Sequence, residues 1–433
     1  MSGKDYFIIE GGKRLRGEIE IKGCKNAATP IIAAALLTKE PCFIENLPLV
    51  EDIFRMLEIV ESLGAEVTWQ GERSVKIVAK NINPSLIKED LVMVLRSSVF
   101  LLGPLLARFG RVSLPKPGGC LIGVRPIDAH LDGFSQMGAK IKRVKGQICK
   151  YVLSTDKKLV PTEVVLPEFS VTATENIMMA SSLIGGMTTI KIAALEPHVK
   201  DLGKVLSKMG VKINWLADHT LEVKGAKRLK GFSHSLIYDP VEAGSFLILA
   251  GLAGDDVTIK NVPLPLLDSV TKKIKEFGIY VKKIRGRGGL FQVKVKRPKK
   301  ILPVSKIQVL PYPGIPTDLQ CAFGVLASQA SGETLIHDPL YENRLRYLKD
   351  LGRMGAKISF LDPHRAIIKG SAKLHGTKVH NYDLRSGAAL IIASLIAKGE
   401  SIIFNAYQVD RGYEKIEERL KKIGADIKRA KKD

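Results

Sequence analysis

Two segments of this 433-residue chain bring together side chains that could do chemistry. The first is Gly118-Gly119-Cys120-Leu121-Ile122-Gly123, preceded by Pro115 and Pro117. Glycine and proline crowding puts Cys120 on a loop. Arg125, five residues on, and Lys116 supply cations that favour a thiolate. The alternative is a small buried cysteine acting as an apolar residue. The second segment is Lys22-Gly23-Cys24-Lys25-Asn26-Ala27-Ala28, which leads through Thr29-Pro30 into an apolar helix over Ile31–Leu37. A lysine and an asparagine at a helix start suit a phosphate or carboxylate, because the backbone donors and the helix dipole point the same way. The alternative there is an ordinary helix start with Asn26 as its cap.

Arginines recur beside acids or within apolar surroundings: Arg96, Arg125-Pro126-Ile127-Asp128-Ala129, Glu342-Asn343-Arg344, Asp383-Leu384-Arg385 and Asp410-Arg411. A dianionic substrate would use several such paired donors, while any one pair could be a structural ion pair. Pro316-Thr317-Asp318 follows a proline-rich turn and presents one carboxylate, either as a positioned base or as a helix cap.

The elements that must hold these residues come from an internal repeat. A helix, an apolar residue, a glycine and then a strand recur around Gly64, Gly138, Gly210, Gly278, Gly355 and Gly424. Glycine ends a helix there because the next residue takes a left-handed conformation. Six repeats of about 72 residues predict an α/β (α+β) protein of two pseudo-symmetric lobes with three repeats each. Crossovers are expected in Ile21–Cys24 and Phe232–Asp239, with a ligand cleft between the lobes. Helices are expected over Ile31–Leu37, Val50–Leu63 and Ala388–Ala397, and strands over Glu18–Lys22 and Ser74–Ala79.

Composition removes other classes. Five widely spaced cysteines and eight scattered histidines predict neither a disulfide framework nor a metal site. No apolar run is long enough for a membrane span or an export signal. The net charge of +23 points to anionic partners. Its runs at Lys296–Lys300 and Lys428–Lys432 lack interleaved aromatics, so nucleic acid is not expected.

With these segments in place the chain resembles the UDP-N-acetylglucosamine enolpyruvyl transferases almost end to end, from Ile8-Ile9-Glu10-Gly11-Gly12 to Asp410-Arg411-Gly412-Tyr413-Glu414. The shared motifs are Lys25-Asn26-Ala27-Ala28, the glycine-flanked Cys120, Arg125-Pro126-x-Asp128, Pro316-Thr317-Asp318, Glu342-Asn343-Arg344 and Asp383-Leu384-Arg385. The resemblance implies βαβαββ repeats in an inside-out α/β arrangement, with lobes 25–237 and 1–24 plus 238–433. It implies transfer of the enolpyruvyl group of phosphoenolpyruvate to the 3′-hydroxyl of UDP-N-acetylglucosamine, the first committed step of peptidoglycan synthesis. The enzyme would be a cytoplasmic monomer, free of cofactor and a target of fosfomycin.

By the same resemblance Lys25, Asn26, Cys120, Arg125 and Arg411 would hold phosphoenolpyruvate, with Cys120 as the acid and Asp318 as the base. Asn26, Arg96, Arg125, Pro126, Ile127, Asp128, Ala129, Ser170, Val171, Asp318 and Leu340 would surround the UDP-sugar. Arg344, Asp383 and Arg385 would form a supporting charge network. Cys24, Lys116, Glu168 and Pro240 depart from the family pattern. A paralogue using another UDP-sugar, or an enzyme like 5-enolpyruvylshikimate-3-phosphate synthase, is the alternative reading; the latter family opens its first helix with Ser-Lys-Ser rather than Cys24-Lys25-Asn26.

Overall fold

The computed structural model describes residues 5–119 and 122–431. Cys120, on which the acid assignment falls, lies outside the described residues, as does Leu121.

All six predicted glycines adopt the left-handed conformation, with φ between 84° and 106°. Each follows a helix: Glu51–Ser62, Asp128–Gln136, Pro197–Lys208, Asp268–Glu276, Tyr347–Arg353 and Ile416–Lys421. The carbonyls left over at each helix end are taken in the same way. In the first repeat Gly64 N–H donates to the Glu61 carbonyl at 2.9 Å and Ala65 N–H to Val60 at 3.3 Å, and the last repeat does likewise through Gly424 and Ala425. A strand then follows, from Glu66–Gly71 in the first repeat to Asp426–Lys431 in the last.

Each repeat owns one sheet and one deeply buried helix. These six inner helices are α1 (Lys25–Ala34), α2 (Leu102–Phe109), α3 (Val171–Ser181), α4 (Pro240–Ala253), α5 (Thr317–Gln329) and α6 (Leu384–Ile396). Nearly every side of them is buried, mostly by apolar residues, as in helices enclosed by other elements. The helices that end in the glycines are amphipathic instead, and alternate residues of the strands are buried.

Five of the sheets have four strands in one topology, a short parallel strand followed by three antiparallel ones. In the third repeat Glu163–Val165 runs parallel to Met187–Lys191, which pairs antiparallel with Leu221–Lys224, which pairs with Lys212–Trp215. With its two helices this is the βαβαββ unit. The sheet of the second repeat has three strands, Arg111–Pro115, Lys150–Ser154 and Lys140–Val144. The segment before its inner helix holds a 3₁₀ turn at Pro84–Leu86.

The chain forms two compact units. Unit 1 comprises residues 5–22, 122–124 and 238–431; unit 2 comprises 23–119 and 125–237. Each has its own apolar core. In unit 1, Leu15–Glu20 is the parallel strand of the sheet built on Gly254–Val262, and Asp5–Glu10 lies between Glu400–Phe404 and Asp426–Lys431. In unit 2, Ser233–Ser235 returns beside Cys42–Glu45.

Element limits differ slightly from expectation. The strand expected at Glu18–Lys22 is Leu15–Glu20, and that at Ser74–Ala79 ends at Val78. The Ile31–Leu37 helix begins six residues earlier, at Lys25, and runs through Pro30 before tightening into a 3₁₀ turn at Ala35–Leu37. Pro30 lacks the N–H that would meet the Asn26 carbonyl, but it leaves the helix path intact near its start.

Candidate active site

The predicted residues concentrate at the N-terminal ends of the inner helices. At α1 the cap position is Cys24, extended and without a side-chain cap, so Asn26 is not the cap. Lys25 is the first helical residue. Its Nζ lies 2.9 Å from Asp52 Oδ2, with both side chains largely buried. Asn26 follows it at the end where the first backbone N–H groups have no intrahelical acceptor.

Arg96 opens the 3₁₀ turn Arg96–Leu101 that feeds α2, and its Nη2 donates to the Pro126 carbonyl at 2.9 Å. The loop ahead of Cys120 is pressed onto this arginine. A Cβ on Gly119, whose φ is 123°, would come within 2.7 Å of Arg96 Cβ and 3.6 Å of Arg125 Nη1. A Cβ on Gly118 would strike the Met93 carbonyl at 1.6 Å. Gly119 thus brings the loop against Arg96 and Arg125, and Gly118 brings it against the Met93 backbone; larger residues at either would push it away.

Of the Arg125–Ala129 stretch, Ile127 and Ala129 are buried in the unit 2 core, and Asp128 is exposed in an ion pair with Arg143 at 2.6 Å. Behind the stretch lies a buried network. Asn176 donates its amide to His130 Nδ1 at 2.9 Å and to the Val99 carbonyl at 2.9 Å, and it accepts from Gly103 N–H at 2.8 Å. His130 Nε2 therefore carries the ring proton toward Thr172 Oγ1, 2.9 Å away. Burial, and then the Arg96 charge, push His130 down to about 3, so it is neutral and structural. Ser170 caps α3, its hydroxyl accepting from Ala173 N–H at 3.4 Å, and Val171 is the first residue of that helix.

In unit 1 the predicted network is assembled. Asp318 sits in the first turn of α5 but is not its cap. Its Oδ1 accepts from Arg344 Nη2 at 2.5 Å and its Oδ2 from Arg385 Nε at 3.0 Å. Arg344 also reaches Asp383 Oδ1 at 3.4 Å and the Thr317 carbonyl at 3.3 Å. Asp383 caps α6 by accepting from Arg385 N–H at 2.9 Å and Ser386 N–H at 3.1 Å. Both guanidiniums are buried, which alone would weaken their charge. Asp318 and Asp383 more than offset this for Arg344, as do Asp318 and Tyr413 for Arg385, and both are raised above the usual arginine value. Among the described residues Nη1 of Arg385 is buried with no hydrogen-bond partner. Arg411 is 7% exposed, and its Nη1 donates to Gln408 at 3.2 Å.

The acids written next to arginines reach further than their neighbours. Asp383 is engaged by Arg344, and Asp410 by Arg429 at 2.5 Å. Glu342 instead accepts from Val124 N–H at 3.2 Å, while Asn343 N–H donates to the Ile122 carbonyl at 3.1 Å. The Glu342 and Val124 backbone donors hold that carboxyl below its ordinary value. The stretch just after Cys120 and Leu121 is thus tied to the 342–343 loop.

Sequence reasoning missed three contributors. Asp52 anchors Lys25. Asp338, fully buried, accepts from Thr317 Oγ1 at 2.6 Å and from Leu340 N–H at 3.0 Å, so it joins exposed Leu340 to the start of α5. The Asp338-Pro339 pair was its available signal. The third is the His130–Asn176 pair, which no spacing announces. Two of the departures from the family pattern have a plain place in the fold. Pro240 takes the first helical position of α4 behind the cap Asp239, where its missing N–H costs nothing. Cys24 occupies the cap position of α1. Among the described residues the cysteines are free, and no group of three or more His, Cys, Asp or Glu side chains could hold a metal ion. Nor is any helix among them long and apolar enough to cross a membrane.

Repeats of this build are shared with known enzymes. The family described as EPSP synthase (3-phosphoshikimate 1-carboxyvinyltransferase) matches residues 9–420. The fold is that of the enolpyruvyl transferase NikO from Streptomyces tendae, with a TM-score of 0.89 at 23% identity over 99% of both chains. It is also that of EPSP synthase from Acinetobacter baumannii, with a TM-score of 0.74 at 18% identity over 99% of this chain and 100% of that one. The chain belongs to this carboxyvinyltransferase family and is a transferase. Within it, the chain is 39% identical to the UDP-N-acetylglucosamine 1-carboxyvinyltransferase of Koribacter versatilis (strain Ellin345), over 98% of this chain and 96% of that one. It is 41% identical to the enzyme of that name from Sorangium cellulosum (strain So ce56), over 98% of each.

Proposed function

We propose that the protein transfers the enolpyruvyl group of phosphoenolpyruvate to the 3′-hydroxyl of UDP-N-acetylglucosamine and releases phosphate. The observation that carries this reading is near-full-length similarity, at 39% and 41% identity, to enzymes named for that substrate. The charge pattern supports it. Lys25, Asn26, Arg125 and Arg411 are assigned to phosphoenolpyruvate. Arg96, the Arg125–Ala129 stretch, Ser170, Val171 and Leu340 are assigned to the sugar nucleotide. Arg344 and Arg385 hold Asp318, and Asp383 holds Arg344.

The chemistry balances without a redox partner. Cys120 gives a proton to C3 of phosphoenolpyruvate, and the sugar hydroxyl adds to C2 as Asp318 takes its proton. The tetrahedral ketal then loses a C3 proton and phosphate, which restores the alkene. Asp318, gripped on both oxygens, is an oriented acceptor for the hydroxyl rather than a mobile one. The cations meet the phosphate and carboxylate charge throughout. A role in peptidoglycan synthesis, a cytoplasmic location, a monomeric state and alkylation of Cys120 by fosfomycin are parts of the same reading.

Phosphate release with both substrates, and mass spectrometry of the enolpyruvyl product, test it. Because the matching family description names EPSP synthase, 3-phosphoshikimate is the competing acceptor. Turnover with 3-phosphoshikimate and none with the UDP-sugar would overturn the assignment.

A further inference from the structure

The basic run Lys296–Lys300 has no part in this chemistry, yet its position in the fold is fixed. Unit 1 contains a cavity of about 350 Å³ at the C-terminal ends of α4, α5 and α6, the ends opposite to those carrying Asp318 and Asp383. Two basic segments are held there by backbone bonds. Gly12 N–H donates to the Leu395 carbonyl at 2.9 Å, which fixes Lys13 and Arg14 beside the end of α6. A Cβ on Gly11 would sit 2.2 Å from the Ala397 carbonyl, so only glycine allows this approach. Arg297 N–H donates to the Gly254 carbonyl at 3.2 Å, and Ser331 N–H to that of Ile301 at 3.3 Å, which fixes Arg297, Lys299 and Lys300 beside the ends of α4 and α5.

All five cations line the cavity, and no acidic residue does. Lys13 is engaged by Asp426 at 2.7 Å. Arg14, Arg297, Lys299 and Lys300 have no side-chain ion pair among the described residues. Arg14 and Arg297 are both exposed, and partial desolvation, then the Arg14 charge, lower the Arg297 guanidinium from its usual value, so the two arginines lie close enough to repel one another.

Helix C-termini attract cations, each by about 0.3–1 kcal/mol. With three helix ends meeting there, that attraction accounts for several of these residues, but not for the approach of Arg297 to Arg14. An anion would relieve the repulsion, and guanidinium pairs match phosphate oxygens. The cavity size falls in the range of about 300–1,000 Å³ typical of small-ligand sites. Its remaining wall includes Leu252, Leu395 and Ile396.

We infer that this cavity is a second binding site, for a small molecule carrying two or more phosphate groups, held by Arg14, Arg297, Lys299 and Lys300. The inference stands apart from the proposed transferase reaction.

Calorimetric titration of the full chain with inorganic pyrophosphate, and separately with ADP, tests it and distinguishes a free diphosphate from a nucleotide. Arg14→Gln/Arg297→Gln should weaken binding at least tenfold. Arg285→Gln/Lys282→Gln, which removes the same charge from an outer strand of unit 1, should leave it unchanged. Lys25→Ala should also leave it unchanged. If the arginine variant fails to fold, Lys299→Gln/Lys300→Gln, at two exposed positions, takes its place. The inference is overturned if neither probe binds at millimolar concentration. It is also overturned if binding is lost with Lys25→Ala, or equally in the outer-strand control, or if only oligonucleotides or acidic vesicles bind.

Discussion

Each unit buries three inner helices, and beside ion pairs present in both, such as Lys25–Asp52 in unit 2, the two treat some buried titratable groups differently. In unit 1, buried charge is kept and paired: Arg344 and Arg385 hold Asp318, Arg344 holds Asp383, and Arg419 meets Glu242. In unit 2, two buried titratable groups are kept uncharged. His130 is pushed down to about 3, and burial with the nearby Glu196 raises Glu175 well above its ordinary value. Both Glu175 oxygens are buried with no hydrogen-bond partner among the described residues. One repeat architecture therefore supports two electrostatic designs. Paired charge orients a carboxylate but depends on every partner; neutral groups depend on pH instead.

The strongest way to break this contrast is Arg344→Met. It strands Asp318 and Asp383 without their shared cation, and about 3–5 kcal/mol of stability should be lost. Urea unfolding measures it, and a loss below about 1 kcal/mol would mean that the pairs are not energetically coupled to the fold. Asp318→Asn should lower turnover by at least about a hundredfold while the affinity for the UDP-sugar stays within a few fold. Near-normal kcat would confine Asp318 to holding the arginines.

Glu175→Gln sharpens the other half. The folded carboxyl has a raised pKa, so its contribution is fully present below the unfolded value, about 4.3, and is lost as pH climbs from there through the folded value. The variant should match the wild type near pH 4 and exceed it increasingly at higher pH, by up to about 1.4 kcal/mol per pH unit. Parallel stability curves for the two proteins would show that Glu175 is ionised in the fold. The smallest effect belongs to Ser170→Ala, which removes the α3 cap and should cost about 1 kcal/mol in a thermal melt with α1 undisturbed.

What was legible in the sequence was the part written locally. The six helix-ending glycines each state a backbone conformation that only glycine takes freely, so their spacing revealed the repeats. Lys25 and Asp318 were legible as helix-start residues because each sits just past a glycine or proline break. Pairing was not legible. Nothing near Asp383 says that Arg344 is its partner, because residues two apart on a helix point away from each other and the partner comes from another repeat. Asp338 was hidden among ordinary turn residues, and the three-stranded sheet of the second repeat was hidden because a short edge strand has little pattern to lose.

The strand Asp5–Glu10 sits between Glu400–Phe404 and Asp426–Lys431, and Lys13 bonds to Asp426 across 413 positions. During synthesis the unit 2 segments are all available once Ser233–Ser235 has emerged, whereas the earliest strand of unit 1 must wait for nearly the last. Until then its edges are unpaired, a condition that invites association with other chains. Unit 2 should therefore gain protease resistance first on the ribosome, and shortening the chain before Asp426 should leave the amino-terminal strand as an open edge beside Glu400–Phe404.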